Sequence, residues 1–240
     1  IADKTDGVLK VMRSYLYFGS SGISDVVAKH NWDDNSISVK GILGGFIWHT
    51  TGSGKTMTSF KSAQLIADSG KADKVVFLMD RIELGTQTAL EYRGFKTDLE
   101  DVQETEDTAD LIGKLDSPDA QDRLIVTSIQ KMSRIVPAHN NRHQINRINQ
   151  KRLVIIIDEC HHATAETYKR IISYFEPEFL LGLTATPERL DNQDVFGLFD
   201  QNVPYELRLR DAIINELVVP FKYYGIRDQL VDYGLSKSEE

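Results

Sequence analysis

Short apolar runs alternate with amphipathic stretches along most of this 240-residue chain. The runs predict buried strands at residues 42–48, 75–79, 124–127, 153–157 and 179–184, and the stretches between them predict helices at about 54–67, 83–92 and 163–175. This alternation is typical of a mostly parallel sheet with helices on both faces. The run at 153–157 is purely aliphatic, which indicates a strand that is covered on both faces. The predicted fold class is therefore α/β.

The turn between the first strand and the first helix is rich in glycine and reads HTTGSGKT at residues 49–56. Glycines in such a turn allow consecutive backbone N–H groups to face a triphosphate, and the following helix adds its positive N-terminal end. Lys55 then reaches the β- and γ-phosphates, and the Thr56 hydroxyl takes a position on Mg²⁺. The predicted ATP-binding residues of this turn are Thr51, Gly52, Ser53, Gly54, Lys55 and Thr56. His49 stands where the pattern usually has its first glycine, so the alternative is a glycine-rich turn with a surface lysine.

Two acids, Asp158 and Glu159, follow the aliphatic strand at 153–157. A parallel strand delivers the residues at its end to the carboxyl edge of the sheet, where open α/β folds bind their ligands. We expect Asp158 to hold Mg²⁺ and Glu159 to orient or deprotonate an attacking water, with Lys55 as the third catalytic residue. The alternative for the two acids is helix capping. A zinc site at residues 160–162 is disfavoured because three adjacent residues cannot easily converge on one ion.

The charges of the chain are segregated. The formal net charge of −8 argues against a free-standing domain that binds a phosphate backbone. Residues 98–122 hold ten carboxylates against the single Lys114, whereas residues 123–157 hold seven basic side chains and no acidic one. Two interpretations stay open: two solvated surface segments, or a basic segment beside a nucleic-acid track with the acidic segment facing away.

The sequence also predicts a compartment. The single cysteine, Cys160, cannot form an internal disulfide, which favours a reducing environment. No segment is long and apolar enough to cross a bilayer, and the N-terminus lacks the pattern of a secretion signal. We therefore expect a cytoplasmic protein with no membrane partner. The missing initiator methionine suggests a piece of a longer chain.

Three motifs, in this order, resemble motifs I, II and III of superfamily 2 helicases and translocases: GSGKT at 52–56, DECH at 158–161 and TATP at 184–187. The fuller segment at 47–56 resembles the motor (R, or restriction) subunit of type I restriction-modification enzymes, in which His commonly stands at the position of His49. Other segments similar to that family lie at 79–88, 126–132 and 209–213.

The resemblance extends over about residues 8–226 and implies a fold and a domain organisation. Residues 1–206 would form a RecA-like (P-loop NTPase) lobe, the first motor lobe of a superfamily 2 translocase. Residues 207–240 would form a linker, with a strand at 218–226 that starts a second lobe not contained in the chain.

The resemblance also implies roles for individual residues. ATP and Mg²⁺ are the implied cofactors, with Thr56 and Asp158 holding the Mg²⁺, and Arg13 and Tyr15 joining the ATP-binding set. The residues implied in coupling between nucleotide and DNA are His161, Thr184 and Thr186. The residues implied in DNA binding, all expected in loops at strand ends, are Arg81, Thr127, Ser128, Gln130 and Lys131.

The activity implied by the resemblance is ATP hydrolysis that drives double-stranded DNA translocation before a type I restriction enzyme cleaves foreign DNA. The implied partners are double-stranded DNA, the specificity and methyltransferase subunits, and the remaining domains of the parent chain. We find no nuclease site, because no Glu-x-Lys follows the only Pro-Asp pair, at 118–119, at a useful distance. The alternatives are the motor of a type III restriction enzyme or repair helicase, and a nucleotide-binding assembly module without turnover of its own.

The first helical segment departs from the family pattern. The family has a glutamine that helps recognise adenine at the position of Leu16, which follows Arg13 and Tyr15 in the segment Arg-Ser-Tyr-Leu. The next residues include Gly19 and Gly22, and each glycine inside a helix costs on the order of 1 kcal/mol.

Overall fold

A parallel sheet of seven strands lies at the centre of the described part of the chain. The computed structural model of the protein describes residues 2–3, 8–9, 13–30, 32, 44–51, 53–79, 103–104, 107–135, 142–163, 165–188 and 195–220. β1 (Ala2–Asp3) and β2 (Val8–Leu9) pair antiparallel as a separate ribbon. The strands of the sheet are β3 (Gly44–His49), β4 (Lys74–Met79), β5 (Gln103–Glu104), β6 (Leu124–Ser128), β7 (Leu153–Asp158), β8 (Phe179–Thr184) and β9 (Tyr205–Leu207). Their spatial order is β5-β6-β4-β7-β8-β3-β9, and every pairing between them is parallel.

Helices connect the strands and cover both faces of the sheet. They are α1 (Ser14–Lys29), α2 (Lys55–Asp68), α3 (Thr108–Asp116), α4 (Ile129–Ile135), α5 (Arg142–Ile148), α6 (Glu166–Phe175), α7 (Val195–Leu198) and α8 (Leu209–Ile214). Single 3₁₀ turns lie at Ala120–Asp122 and Cys160–His162.

Alternate residues of the strands fill two separate apolar cores. In β7, Ile155 and Ile157 pack in one core with side chains of α3 to α7, whereas Val154 and Ile156 pack in the other core with α1 and α2. The period of two residues in a strand explains this division. The predicted α/β class, with helices on both faces of a parallel sheet, is confirmed.

The structure differs from the sequence predictions in several elements. The helix predicted at 163–175 begins only at Glu166, because residues 160–162 form a 3₁₀ turn and Ala165 is extended. The three-residue β9 was not predicted. The helix predicted at 83–92 lies outside the described residues. Of the strand predicted at 218–226, the structure describes residues 218–220, and they belong to no strand.

The glycines of α1 are explained by close packing. A Cβ on Gly22 would lie 3.0 Å from the Pro204 carbonyl oxygen, and a Cβ on Gly19 would lie 3.3 Å from Thr58 Cγ2 of α2. Glycine therefore lets α1 approach both α2 and the segment before β9. Closer packing offsets the low helix propensity of these residues.

The segment after β9 packs against the start of α1. Leu207 and Ala212 form a small buried cluster with Tyr15 and Leu16. The Arg13 guanidinium donates to the Leu217 carbonyl at 3.4 Å. The predicted boundary at residue 206 stays a prediction, but the residues just beyond it are in contact with the first helix. Among the residues that the structure describes, no helix is both long and apolar enough to cross a bilayer.

Candidate active site

Three adjacent strands end at the same edge of the sheet. β7, β8 and β3 are neighbours in the order of strands, and they end at Asp158, Thr184 and His49. Because all three are parallel, the residues that follow them meet at the carboxyl edge. This edge therefore brings together the glycine-rich turn, the acidic pair and the TATP segment.

The glycine-rich turn is anchored by a buried histidine. The His49 side chain is fully buried, its Nδ1 is hydrogen-bonded to Ser53 Oγ, and Ser53 Oγ donates to the Thr50 carbonyl. Gly54 has a φ of 93° and immediately precedes α2, a conformation that favours glycine. Thr51 is exposed at the top of the turn. Gly52 and the side chain of Thr56 lie outside the described residues.

The acidic pair lies directly against Lys55. The Lys55 ammonium forms an ion pair with Glu159 Oε1, and Asp158 Oδ1 lies 3.6 Å from Lys55 Nζ. Glu159 has a φ of 52°, a left-handed conformation that is uncommon for a residue with a side chain and is often found at functional sites. Burial raises the pKa of Asp158, although the neighbouring Lys55 charge opposes that shift. In this arrangement the two carboxylates offset the Lys55 charge.

A chain of polar contacts connects Glu159 to the TATP segment. His161 Nδ1 lies 3.3 Å from Glu159 Oε2 and 3.0 Å from Thr184 Oγ1. The Thr186 N–H donates to Thr184 Oγ1 at 3.1 Å. Thr184 is fully buried, whereas the Thr186 side chain is exposed. The structure thus brings the three predicted coupling residues into one network with the acid pair.

The donor set at this edge suits a hard cation. Asp158 offers carboxylate oxygen, the ligand type that Mg²⁺ prefers, and phosphate oxygens commonly complete such a coordination shell. Within the described ranges, no group of three or more His, Cys, Asp or Glu side chains is arranged to hold a metal ion. Cys160 is fully buried, and burial raises the pKa of its thiol. Cys160 is therefore part of the apolar core.

A large cavity opens beside the turn. Its volume is about 1110 Å³, and its lining includes the predicted ATP-binding residues Arg13, Tyr15, Thr51, Ser53 and Gly54. The remaining lining residues are Leu16, Met57, Ile213, Ile214, Glu216, Leu217, Val218, Val219 and Pro220. The residues from α8 and beyond were not predicted for this site, because their presence depends on packing between distant parts of the chain.

The residues predicted for DNA binding lie farther along the same edge. Thr127 and Ser128 are buried at the end of β6, and Gln130 and Lys131 are half-buried in the first turn of α4. The expectation of loops at this strand end is therefore wrong for these four residues, because α4 begins directly after β6. Arg81 lies outside the described residues.

His49 anchors the turn and was not among the predicted site residues. The sequence signal was its position in place of a glycine. The centroids of the Tyr15 and Tyr205 rings lie 6.1 and 6.2 Å from that of the His49 ring. Burial, with a smaller contribution from the Lys55 charge, lowers the pKa of His49 to about 4. The imidazole is therefore neutral at pH 7.

Stability is expected to depend on pH through His49. The unfolded chain takes up a proton at His49 near the ordinary histidine pKa of 6.5, whereas the folded chain does so only near a pKa of about 4. The folded state should therefore lose stability as the pH falls from about 6.5 to about 4, by up to about 3 kcal/mol at about 1.4 kcal/mol per pH unit. Urea unfolding at pH 7 and pH 4.5 measures this loss. The His49→Asn variant keeps a donor for Ser53 and does not titrate, so it should lose less stability over this pH range. Equal losses in the two proteins would show that His49 is not the group responsible.

Comparison with known proteins identifies the family. A family profile described as "Type III restriction enzyme, res subunit" (ResIII) matches residues 23–189. The chain belongs to this family. Among its relatives, the type I restriction enzyme SsaAORF53P endonuclease subunit of Staphylococcus saprophyticus is 35% identical over 206 residues, which cover 82% of this chain and 20% of the relative. The type I restriction enzyme SauMSSORF170P endonuclease subunit of Staphylococcus aureus is 32% identical over 230 residues, which cover 92% of this chain and 22% of the relative.

A shorter relative matches over most of its length. It is described as the C-terminal part of the endonuclease subunit of the putative type I restriction enzyme MpnIIP of Mycoplasma pneumoniae. It is 36% identical over 172 residues, which cover 72% of this chain and 82% of the relative. The resemblance to type I restriction endonuclease subunits is thus confirmed. This ResIII chain spans about a fifth of the length of the two staphylococcal subunits.

Solved structures share the fold. The ATP-dependent Type ISP restriction-modification enzyme LlaBIII, bound to DNA, aligns with a TM-score of 0.61 at 18% identity, over 87% of this chain and 16% of that one. A nuclease-deletion mutant of the Type ISP enzyme LlaGI, in complex with a DNA substrate mimic, aligns with a TM-score of 0.62 at 16% identity, over 87% and 21%. The predicted fold, a parallel α/β sheet shared with restriction enzymes, is confirmed.

Proposed function

We propose that this chain is the ATP-binding motor lobe of the endonuclease subunit of a type I restriction enzyme. In this proposal the lobe binds Mg-ATP and hydrolyses it, and the hydrolysis drives translocation along double-stranded DNA before cleavage. The observation that carries the proposal is the contact network from Lys55 through Glu159 and His161 to Thr184. It connects the phosphate-binding turn to the TATP segment through the residue expected to act on water.

Binding of a triphosphate would rearrange the charges around Lys55. The phosphates attract the Lys55 ammonium and the N-terminal end of α2, and repel the Glu159 carboxylate. Glu159 would then leave its ion pair with Lys55 and become available to orient a water molecule or accept its proton. Asp158, together with Thr56, would hold Mg²⁺. When bound, the cation would neutralise charge on the phosphates.

The same rearrangement offers a route for coupling. His161 contacts both Glu159 and Thr184, so a shift of the Glu159 carboxylate changes the partners available to His161. Thr184 in turn accepts a hydrogen bond from Thr186. The Trp48 indole donates to the carbonyl of Ala185, between these two threonines, at 3.0 Å. The exposed Thr186 would pass the change to the neighbouring lobe or to DNA.

Duplex DNA is the proposed track, along the edge that includes β6 and α4. Lys131 and the exposed Arg134 lie on α4, within the segment 123–157 that has no carboxylate. Such contacts hold a phosphate backbone without reading bases. The proposal therefore assigns sequence recognition to a separate specificity subunit. A methyltransferase subunit and the remaining domains of the parent chain complete the proposed complex, in the cytoplasm.

ATP turnover by the native-length polypeptide with its partner subunits tests the function. We expect unmodified duplex DNA to stimulate turnover, single-stranded RNA to have no such effect, and Lys55→Ala to abolish the activity. Lys61→Ala, on the same helix but paired with Gln64, is the matched control and should remain active. Stimulation by RNA, or by neither nucleic acid, would overturn the restriction-motor proposal in favour of an RNA helicase or an assembly module.

The same assay tests the proposed DNA track. Reversing the charges of Lys131 and Arg134 to Glu should weaken stimulation by duplex DNA and leave turnover without DNA unchanged. If the variant needs no more duplex DNA than the unsubstituted protein for the same stimulation of turnover, these two residues do not contact the track.

A further inference from the structure

The side chain of Arg208 connects the TATP segment to the segment after β9. Arg208 directly precedes α8, and its guanidinium carbon lies 4.0 Å from the centroid of the Trp48 ring. The same guanidinium pairs with Glu206 of β9, and its Nη1 lies 3.6 Å from Oε1 of Glu188, the residue that follows the TATP segment. One side chain thus contacts β9, Trp48 and the end of the TATP segment.

Trp48 is held in place by strand pairing and by core packing. It lies in β3, where its partner is Thr184 of β8 on one side and Glu206 of β9 on the other. Its side chain is buried, and its ring lies nearly perpendicular to that of Phe196, with 6.4 Å between the two centroids. The indole N–H that donates to the Ala185 carbonyl therefore has a defined position.

A cavity of about 580 Å³ opens beside the TATP segment. Its lining includes Ala185 and Thr186 of that segment together with Arg208. Side chains that border open space lack contact atoms on that side, so packing does not fix the segment there. The position of the segment therefore depends on the polar contacts at and beside it, which are made by His161, Trp48 and Arg208.

The contact with Trp48 is the stronger of the two contacts that connect Arg208 to the TATP segment. Arg208 and Glu188 are both exposed, and an ion pair between exposed side chains contributes little because water and salt screen it. A guanidinium over an indole is attracted by the negative face of the ring, and tryptophan is the best aromatic partner for such a cation. Arg208 should therefore act on the segment mainly through Trp48.

We propose that Arg208 is a positioning residue for the TATP segment: it keeps the Trp48 indole N–H directed at the Ala185 carbonyl and so ties the segment to the start of α8. The inference rests on the proposed function, in which Thr186 passes a change at the nucleotide to DNA or to the neighbouring lobe. A movement of α8 would shift the Arg208 guanidinium relative to the Trp48 ring. The proposed coupling route thereby receives a second input, from the segment after β9.

Hydrogen exchange of the native-length polypeptide tests the positioning role without relying on turnover. Arg208→Gln should speed exchange by about 2–5-fold in peptides that contain residues 184–188, the factor that corresponds to one cation–π contact at an exposed site. Arg210→Gln removes the same charge from another exposed residue of α8 and is the matched control, with no change expected. Unchanged exchange in Arg208→Gln, or an equal increase in both variants, would overturn the inference.

ATP turnover with and without duplex DNA gives the functional readout. In Arg208→Gln the dissociation constant of ATP and the turnover without DNA should stay unchanged, whereas the maximal stimulation by duplex DNA should fall by about 2–5-fold. A general loss of structure would lower all three quantities together. Full stimulation in Arg208→Gln, or an equal loss in Arg210→Gln, would overturn the inference and leave the proposed function intact.

A double-variant cycle tests whether Arg208 acts through Trp48. Trp48→Phe keeps an aromatic ring under the guanidinium and removes the donor to the Ala185 carbonyl. Adding Arg208→Gln to Trp48→Phe should therefore cause no further loss of DNA stimulation, whereas additive losses would overturn an action through Trp48. If duplex DNA does not stimulate the unsubstituted protein, the proposed function fails, and the exchange measurement distinguishes that outcome from a failure of the positioning role.

Discussion

Replacing Glu159 with Gln is expected to reduce ATP turnover by about 10²–10⁴-fold, the usual contribution of a positioned general base. Gln has nearly the size of Glu, so the left-handed backbone at residue 159 and the contact with Lys55 can persist. The amide cannot accept the proton of the attacking water. The loss should therefore appear in kcat.

Nucleotide binding should survive this change. Removing a negative charge beside the phosphates lowers their electrostatic repulsion, so the affinity for ATP should stay the same or increase. Single-turnover hydrolysis and equilibrium binding, measured together, separate the two effects. Glu166→Gln, at an exposed position at the start of α6, is the same substitution away from the site and should change neither quantity. A variant that turns over ATP at the normal rate would remove Glu159 from the chemistry.

Much of the sheet could be predicted from the sequence because its central strands are buried on both faces. Residues 153–157 are aliphatic throughout, and this pattern fits a strand with neighbours on both sides and helices above and below. β9 carries no comparable signal. It has three residues at the edge of the sheet, and only Leu207 among them is buried. Its place is set by pairing with β3, which a local pattern does not encode.

The candidate site divides in the same way. Lys55, Asp158 and Thr184 follow or end predicted strands, so their meeting at one edge could be predicted from parallel pairing alone. The cavity lining at residues 213–218 could not, because it depends on contacts between residues about 200 positions apart, such as Arg13 and Leu217. The contact between His49 and Ser53 could not be predicted from the sequence either, because a buried histidine is not part of the usual glycine-rich pattern.

Gly182→Ala is expected to lower the free energy of unfolding by about 2–3 kcal/mol, at the upper end of the usual cost of overpacking a core. A Cβ at this position in β8 would lie 2.6 Å from both Cys160 Sγ and Phe199 Cζ. Both neighbours are fully buried, so neither side chain can turn into solvent to make room. Chemical denaturation of the two proteins measures the difference.

Gly113→Ala is the matched control for this substitution. Gly113 lies on an exposed part of α3, and a Cβ there would meet nothing within 4 Å. The control should raise stability by about 0.5–1 kcal/mol, because alanine favours a helix over glycine. Equal effects at both positions would show that packing around Cys160 is not tight.

Because Cys160 directly follows Glu159, a displaced Cys160 should also shift the carboxylate, so Gly182→Ala should reduce turnover even at a temperature where the protein remains folded.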